Sequence, residues 1–176
     1  EYYKARVYTP KGYANYRYTV KDTPTRMPAG FITGGDGKVI NDNSWFDVGS
    51  TDPQKVQGDF KFLAAGNVSM SYEAQIFNET DTANTVEIWL AKVGPGKDQL
   101  TEVPGSKYTA TIEAKRTKPK KIISEAFDFT VKANETYRVL AKSNIMDGFY
   151  LYCGTNGIPL FDATITFDEI RGVSTK

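Results

Sequence analysis

The 176-residue chain has no histidine and a single cysteine. Without imidazole there is no Ser-His-Asp or Cys-His pair and no imidazole-based zinc site, and one thiol builds neither a Cys cluster nor an internal disulfide framework. An excess of charge of one sign is also missing, since 22 Lys+Arg stand against 21 Asp+Glu for a formal net charge of +1. A nearly neutral chain is a poor neutraliser of phosphate, so no nucleic-acid partner is expected. No run of about 18 apolar residues occurs, so no membrane insertion is expected either. Leucine is scarce, with six residues, whereas Tyr (11) and Phe (10) are abundant beside many Val, Ile and Thr. That mixture suits pleated strands and starves amphipathic helices, which predicts an all-β protein. Carboxylate-pair chemistry needs only two Asp/Glu at a suitable separation, but no motif marks such a pair. A non-enzymatic protein with no cofactor and no resident metal is the expectation. The chain starts at Glu1 and not at Met, so the start is read as cut, processed or left out.

From about Gln57 onward the chain reads as strand after strand. Val68, Met70, Tyr72, Ala74 and Ile76 alternate with Ser69, Ser71, Glu73 and Gln75, a period of two with one wet face. Val86, Ile88 and Leu90 alternate next, with Trp89 outward, and Tyr108, Ala110 and Ile112 follow the Pro104-Gly105 turn. Ile123, Glu125, Phe127, Phe129 and Val131 share one parity, in which Glu125 fits poorly. Asp147-Gly148 and Asn156-Gly157 are turn dipeptides, and between them Phe149, Leu151 and Cys153 alternate against Tyr150 and Tyr152, apolar or aromatic on both faces. Seven or more strands at spacings near ten residues predict a sandwich or closed barrel. Short strands are predicted at Tyr3 to Tyr8 and Asn15 to Val20, but 21–44 is rich in Gly, Pro, Asp and Asn and has little periodicity. Residues 1–50 are therefore read as an N-terminal arm or attachment region, and 51–176 as the sandwich.

Several clusters invite a chemical reading. Lys115, Arg116, Lys118, Lys120 and Lys121 gather around Pro119 in a hairpin turn, either as a contact for phosphate, acidic glycan or an acidic subunit, or as a solvated turn that blocks strand edges. Gly34-Gly35-Asp36-Gly37-Lys38 lacks the Walker spacing and reads as a turn. Asp36, Asn41, Asp42, Asn43 and Asp47 could offer oxygen to Ca²⁺ but miss the EF-hand spacing. Trp45 and Trp89 are the best candidates for a sugar-stacking platform, against the plainer reading of aromatics as core or interface. Asn67, Asn78 and Asn134 each open an N-x-[ST] triplet, a glycosylation acceptor only in a secreting host. Cys153 is read as a buried, inert thiol.

The runs from Asp59 to Tyr72, Val86 to Lys92, Phe127 to Val131 with Tyr137-Arg138-Val139, and Ala163 to Phe167 resemble, in their strand grammar, the jelly-roll heads of the tumour-necrosis-factor and complement type. Similar heads occur on viral and bacteriophage fibres, spikes and capsid decorations. The resemblance spans about Gln57 to Gly172 and implies an antiparallel β-sandwich (jelly roll) that forms a homotrimer through aromatic faces. By resemblance Tyr137, Phe149, Tyr150, Leu151 and Tyr152 are the interface candidates, and Trp45, Trp89, Lys115, Arg116, Lys118, Lys120 and Lys121 are left as ligand-contact candidates. The expected role is a virion structural protein, a capsid decoration or fibre head that contacts capsid or other virion proteins and host-surface glycan. The alternatives are a secreted or cell-surface carbohydrate-binding module and a small jelly-roll coat protein.

Overall fold

A computed structural model describes residues 2–8, 17–26, 31–33, 46–47, 59–78, 80–96, 99–113, 120–145, 149–152 and 161–170. Among the described residues there are fifteen strands and no helix. They are β1 (Tyr2–Tyr8), β2 (Arg17–Thr19), β3 (Thr25–Arg26), β4 (Phe31–Thr33), β5 (Phe46–Asp47), β6 (Asp59–Phe62), β7 (Gly66–Asn78), β8 (Asn84–Val93), β9 (Leu100–Glu102), β10 (Tyr108–Ile112), β11 (Lys120–Ile123), β12 (Phe127–Val131), β13 (Glu135–Ser143), β14 (Phe149–Tyr152) and β15 (Phe161–Glu169). They form an eight-stranded and a seven-stranded sheet, antiparallel throughout.

The spine of the first sheet is β7. Ile76 pairs with both Lys120 and Leu151, and Ala74 with both Ile122 and Phe161, so β11 lies on one edge while β14 and β15 share the other. β12 continues the line of β11 from Met70 to Gly66. β1 pairs along all seven residues with β15, from Tyr2↔Asp168 to Tyr8↔Asp162, and β4 pairs with β1. The second sheet runs β10-β8-β13-β6-β5, with β9 on β8 and β3 on β13. Strands from 1–50 thus enter both sheets: β1, β2 and β4 the first, β3 and β5 the second. The break placed near residue 50 on composition falls inside the hydrogen-bonding network, because short strands in a Gly- and Pro-rich stretch gain their stability from neighbours and not from their own pattern.

The alternating residues meet between the sheets. Val68, Met70, Tyr72 and Ala74 of β7 face Val86, Ile88 and Leu90 of β8, all buried. An aromatic group fills one end: the Phe62 ring lies 5.5 Å from Tyr137, 5.9 Å from Phe167 and 6.3 Å from Phe129. Such offset and edge-on pairs add to simple area burial. Gly66 is required here, since a Cβ would sit 2.5 Å from the Phe167 ring and 2.6 Å from the Asp168 carbonyl oxygen.

One strand departs from its expected parity. Ile123 pairs with Glu73 and Phe127 with Met70, so three residues on one strand oppose two on β7, a β-bulge. Ser124 fills the gap. Its N–H donates to the Tyr72 carbonyl and its Oγ accepts from the Tyr72 N–H, both at 2.8 Å. The extra residue resets the alternation: Ile123 is outward and 59% exposed, Glu125 is exposed, and Phe127 and Val131 are buried. A strict period of two had put all of them on one face, and the bulge also removes the misfit of Glu125.

Candidate functional site

The candidates drawn from the sequence do not converge. Tyr137, an interface candidate, is 2% exposed. It stands on the inward parity of β13 and packs against Phe60, Phe62 and Phe129, so it belongs to the core of its own chain and not to an interface. Burial, with the Glu135 charge behind it, raises its phenol pKa well above the ordinary tyrosine value, and its hydroxyl reaches Glu135 Oε1 at 3.4 Å. Glu135 is also cramped by burial, but the Lys132 N–H at 2.6 Å and Lys92 Nζ at 3.0 Å outweigh that and hold its carboxyl below the ordinary value.

Trp89 points outward from β8 as expected, yet it is 8% exposed. With Ala91 and Leu140 it forms a second small cluster, against which Leu100 packs, and Lys107 Nζ sits 5.0 Å from the ring centroid. Lys107 is itself held by Glu102 at 3.0 Å, which, with Glu87, raises its pKa. A ring covered in this way offers no face to a sugar, so the Trp89 platform is not supported. Trp45, Lys115, Arg116, Lys118, Cys153, the glycine-rich 34–38 and the oxygen donors of 36–43 lie outside the described residues. The backbone of Lys120 and Lys121 is in β11, paired with Ile76 and Gln75.

The interface candidates of β14 sit in an internal strand, between β7 and β2. Asn78 is fully buried and its Nδ2 donates to the Ile112 carbonyl of the opposite sheet, which fixes residue 78 as an inward position of β7. Register sets Phe149 opposite Asn78, Tyr150 opposite Phe77 and Leu151 opposite Ile76. Asn78 Nδ2 also donates to Thr82 O, and its Oδ1 accepts from Thr80 N and Oγ1. That side chain is spent on architecture, which removes the Asn78 triplet as an acceptor in the folded chain. Asn67 and Asn134 are exposed, and Asn134 holds a left-handed φ of 69°.

At the other end of β7 the outer face of the first sheet carries a concavity that the sequence did not single out. A cleft of about 410 Å³ is lined by Asn67 and Ser69 of β7, Asp128 and Thr130 of β12, and Thr166 and Asp168 of β15, with Val68 and Phe129 reaching it from positions of inward parity. Register orders the polar groups in two cross-strand rows, Asp128–Ser69–Thr166 and Thr130–Asn67–Asp168. Thr130 Oγ1 donates to Asn67 Oδ1 at 3.1 Å. The side chains in the middle of the patch are small, which leaves the hollow. Each of the six occupies the polar parity of its strand. The signal was present as period-two alternation, but only pairing brings three separate strands into one patch.

Inside the sandwich, polar groups are committed to holding the sheets together. The Tyr72 hydroxyl faces the carbonyls of Ile88 and Ser106, each at 2.8 Å. Burial raises its pKa far above the ordinary value. Ser106 Oγ donates to Val103 O at 2.7 Å and accepts the Leu90 N–H at 3.1 Å.

No protein-family model matches the chain, and no curated protein does. Solved structures do. The Eiger tumour-necrosis-factor protein of S. frugiperda superposes with a TM-score of 0.54 at 12% identity, covering 99% of this chain and 98% of that one. Murine APRIL gives a TM-score of 0.47 at 8% identity over 94% of this chain and 98% of its own. The fold is an all-β antiparallel jelly roll of the tumour-necrosis-factor type.

Proposed function

We propose that the chain is a non-enzymatic head domain that works as a homotrimer through surface contacts, at a virion surface as a capsid decoration or fibre head. The observation that supports it most is the placement of β14. β14 is an internal strand, between β7 and β2, and its sequence Phe149-Tyr150-Leu151-Tyr152 is apolar or aromatic at every position, so alternation along a strand gives both faces of the first sheet such residues. An aromatic outer face is covered most economically by copies of the same chain, and closed symmetry lets several weak contacts act together. The likeness to the Eiger structure supports the fold that this assembly requires.

Sedimentation equilibrium tests the assembly. The expected mass is three times 19.6 kDa, falling to one chain in Tyr150→Glu with the far-ultraviolet circular dichroism unchanged. A parent chain that stays monomeric at high micromolar concentration overturns the trimer. Labelling of intact particles with an antibody to the chain tests the location, and particles without label overturn the virion assignment.

A further inference from the structure

We propose that the cleft between β12, β7 and β15 binds a neutral oligosaccharide. Its volume, about 410 Å³, lies within the range of about 300–1,000 Å³ usual for small-ligand sites. The six polar groups along its two rows are carboxylates, an amide and hydroxyls. Such groups match adjacent sugar hydroxyls: carboxylates accept, while the amide and hydroxyls both donate and accept.

Other occupants fit less well. Asp128 and Asp168 stand diagonally across β7, two strands and two residues apart, which is about 12 Å between backbones at ordinary sheet spacings. Side chains that stand off a sheet at that separation do not converge on one cation with bonds of about 2.4 Å. Two carboxylates among the six polar lining groups also disfavour phosphate and acidic sugars. Trimerisation is not required, because every lining group comes from one chain. The cleft is also separate from Tyr150: Phe77 and Ser69 are eight residues apart on β7, about 26 Å.

The test is a titration followed by amide chemical shifts, using neutral tri- and tetrasaccharides of glucose, galactose and N-acetylhexosamines, with a sialylated trisaccharide as the charged comparison. Expected are saturable shifts at Ser69, Asp128 and Thr166, at least about tenfold weaker binding in Asp128→Ala and in the cleft-filling Ser69→Trp, and no effect of a chelator. Both variants change solvent-facing positions, and their dispersed spectra report folding directly. Failure of every neutral saccharide to shift these amides overturns the proposal. So does binding that survives Ser69→Trp in the folded variant, that prefers the sialylated sugar, or that disappears with the chelator. The oligomer mass, measured on the same samples, separates failure of the cleft from failure of the trimer.

Discussion

Replacing Tyr72 by Phe removes one oxygen from the middle of the sandwich and nothing else. That oxygen serves two backbone groups at once: the Ile88 and Ser106 carbonyls, each at 2.8 Å, share its proton. The side chain is 2% exposed, so water cannot substitute without opening the core. A buried polar group left unsatisfied costs about 1–3 kcal/mol, and more than one group is orphaned here, so a loss of about 3 kcal/mol is expected. For a chain of this size that lowers Tm by about 6–12 °C. Equilibrium urea unfolding followed by tryptophan fluorescence measures it, with the midpoint shifting while the slope stays fixed. Tyr137→Phe is the internal control, because among the described residues its hydroxyl makes only the 3.4 Å contact to Glu135, and its cost should stay below about 1 kcal/mol. A Tyr72→Phe loss under about 0.5 kcal/mol, or one no larger than that of Tyr137→Phe, would refute the claim that this hydroxyl ties the two sheets.

Three further changes probe the same frame. Gly66→Ala drives a methyl into the Phe167 ring and the Asp168 carbonyl, and a destabilisation of about 2–3 kcal/mol is expected from overpacking; a neutral Gly66→Ala in thermal melts would show that the β7 start is loose. Ser124→Ala leaves the Tyr72 N–H without its 2.8 Å acceptor, at about 1–3 kcal/mol, with Ser124→Thr losing less; equal losses in urea melts would contradict the capping role. The raised phenols of Tyr72 and Tyr137 favour the folded state below the unfolded tyrosine pKa of about 10, and that contribution is lost as pH rises toward their folded values. Absorbance at the phenolate band should therefore show two tyrosines that ionise only with unfolding, and early titration of the full set would count against their burial.

Alternation made the long strands legible. Alternation predicts Val86, Ile88 and Leu90 inward, and they are fully buried; the same holds on β7 for Val68, Met70, Tyr72 and Ala74. Three things were not legible, each because it depends on a partner distant in sequence. The bulge at Ser124 inverts Ile123 relative to Phe127, and a single inserted residue leaves no mark on composition. Trp89 is outward yet covered, because Leu100 and Lys107 come from later segments. The cleft unites polar positions of β7, β12 and β15 that have no common motif. Tyr137 was misplaced for a related reason: resemblance suggested an interface, while its inward parity on β13 put it in the aromatic core.

The pairing of β1 with β15 also constrains how this protein comes into being. Tyr2 meets Asp168 and Tyr8 meets Asp162, so β1 finds this partner only after the more than 150 residues between them have been made. Until then β1 has only its three-residue pairing with β4, and its other edge is a template for wrong partners. Contacts this remote in sequence slow folding through the cost of closing long loops. Newly made chains should therefore spend longer exposed to association than helical proteins of similar size, and β1 is where a chaperone, or a misplaced second copy, would take hold first.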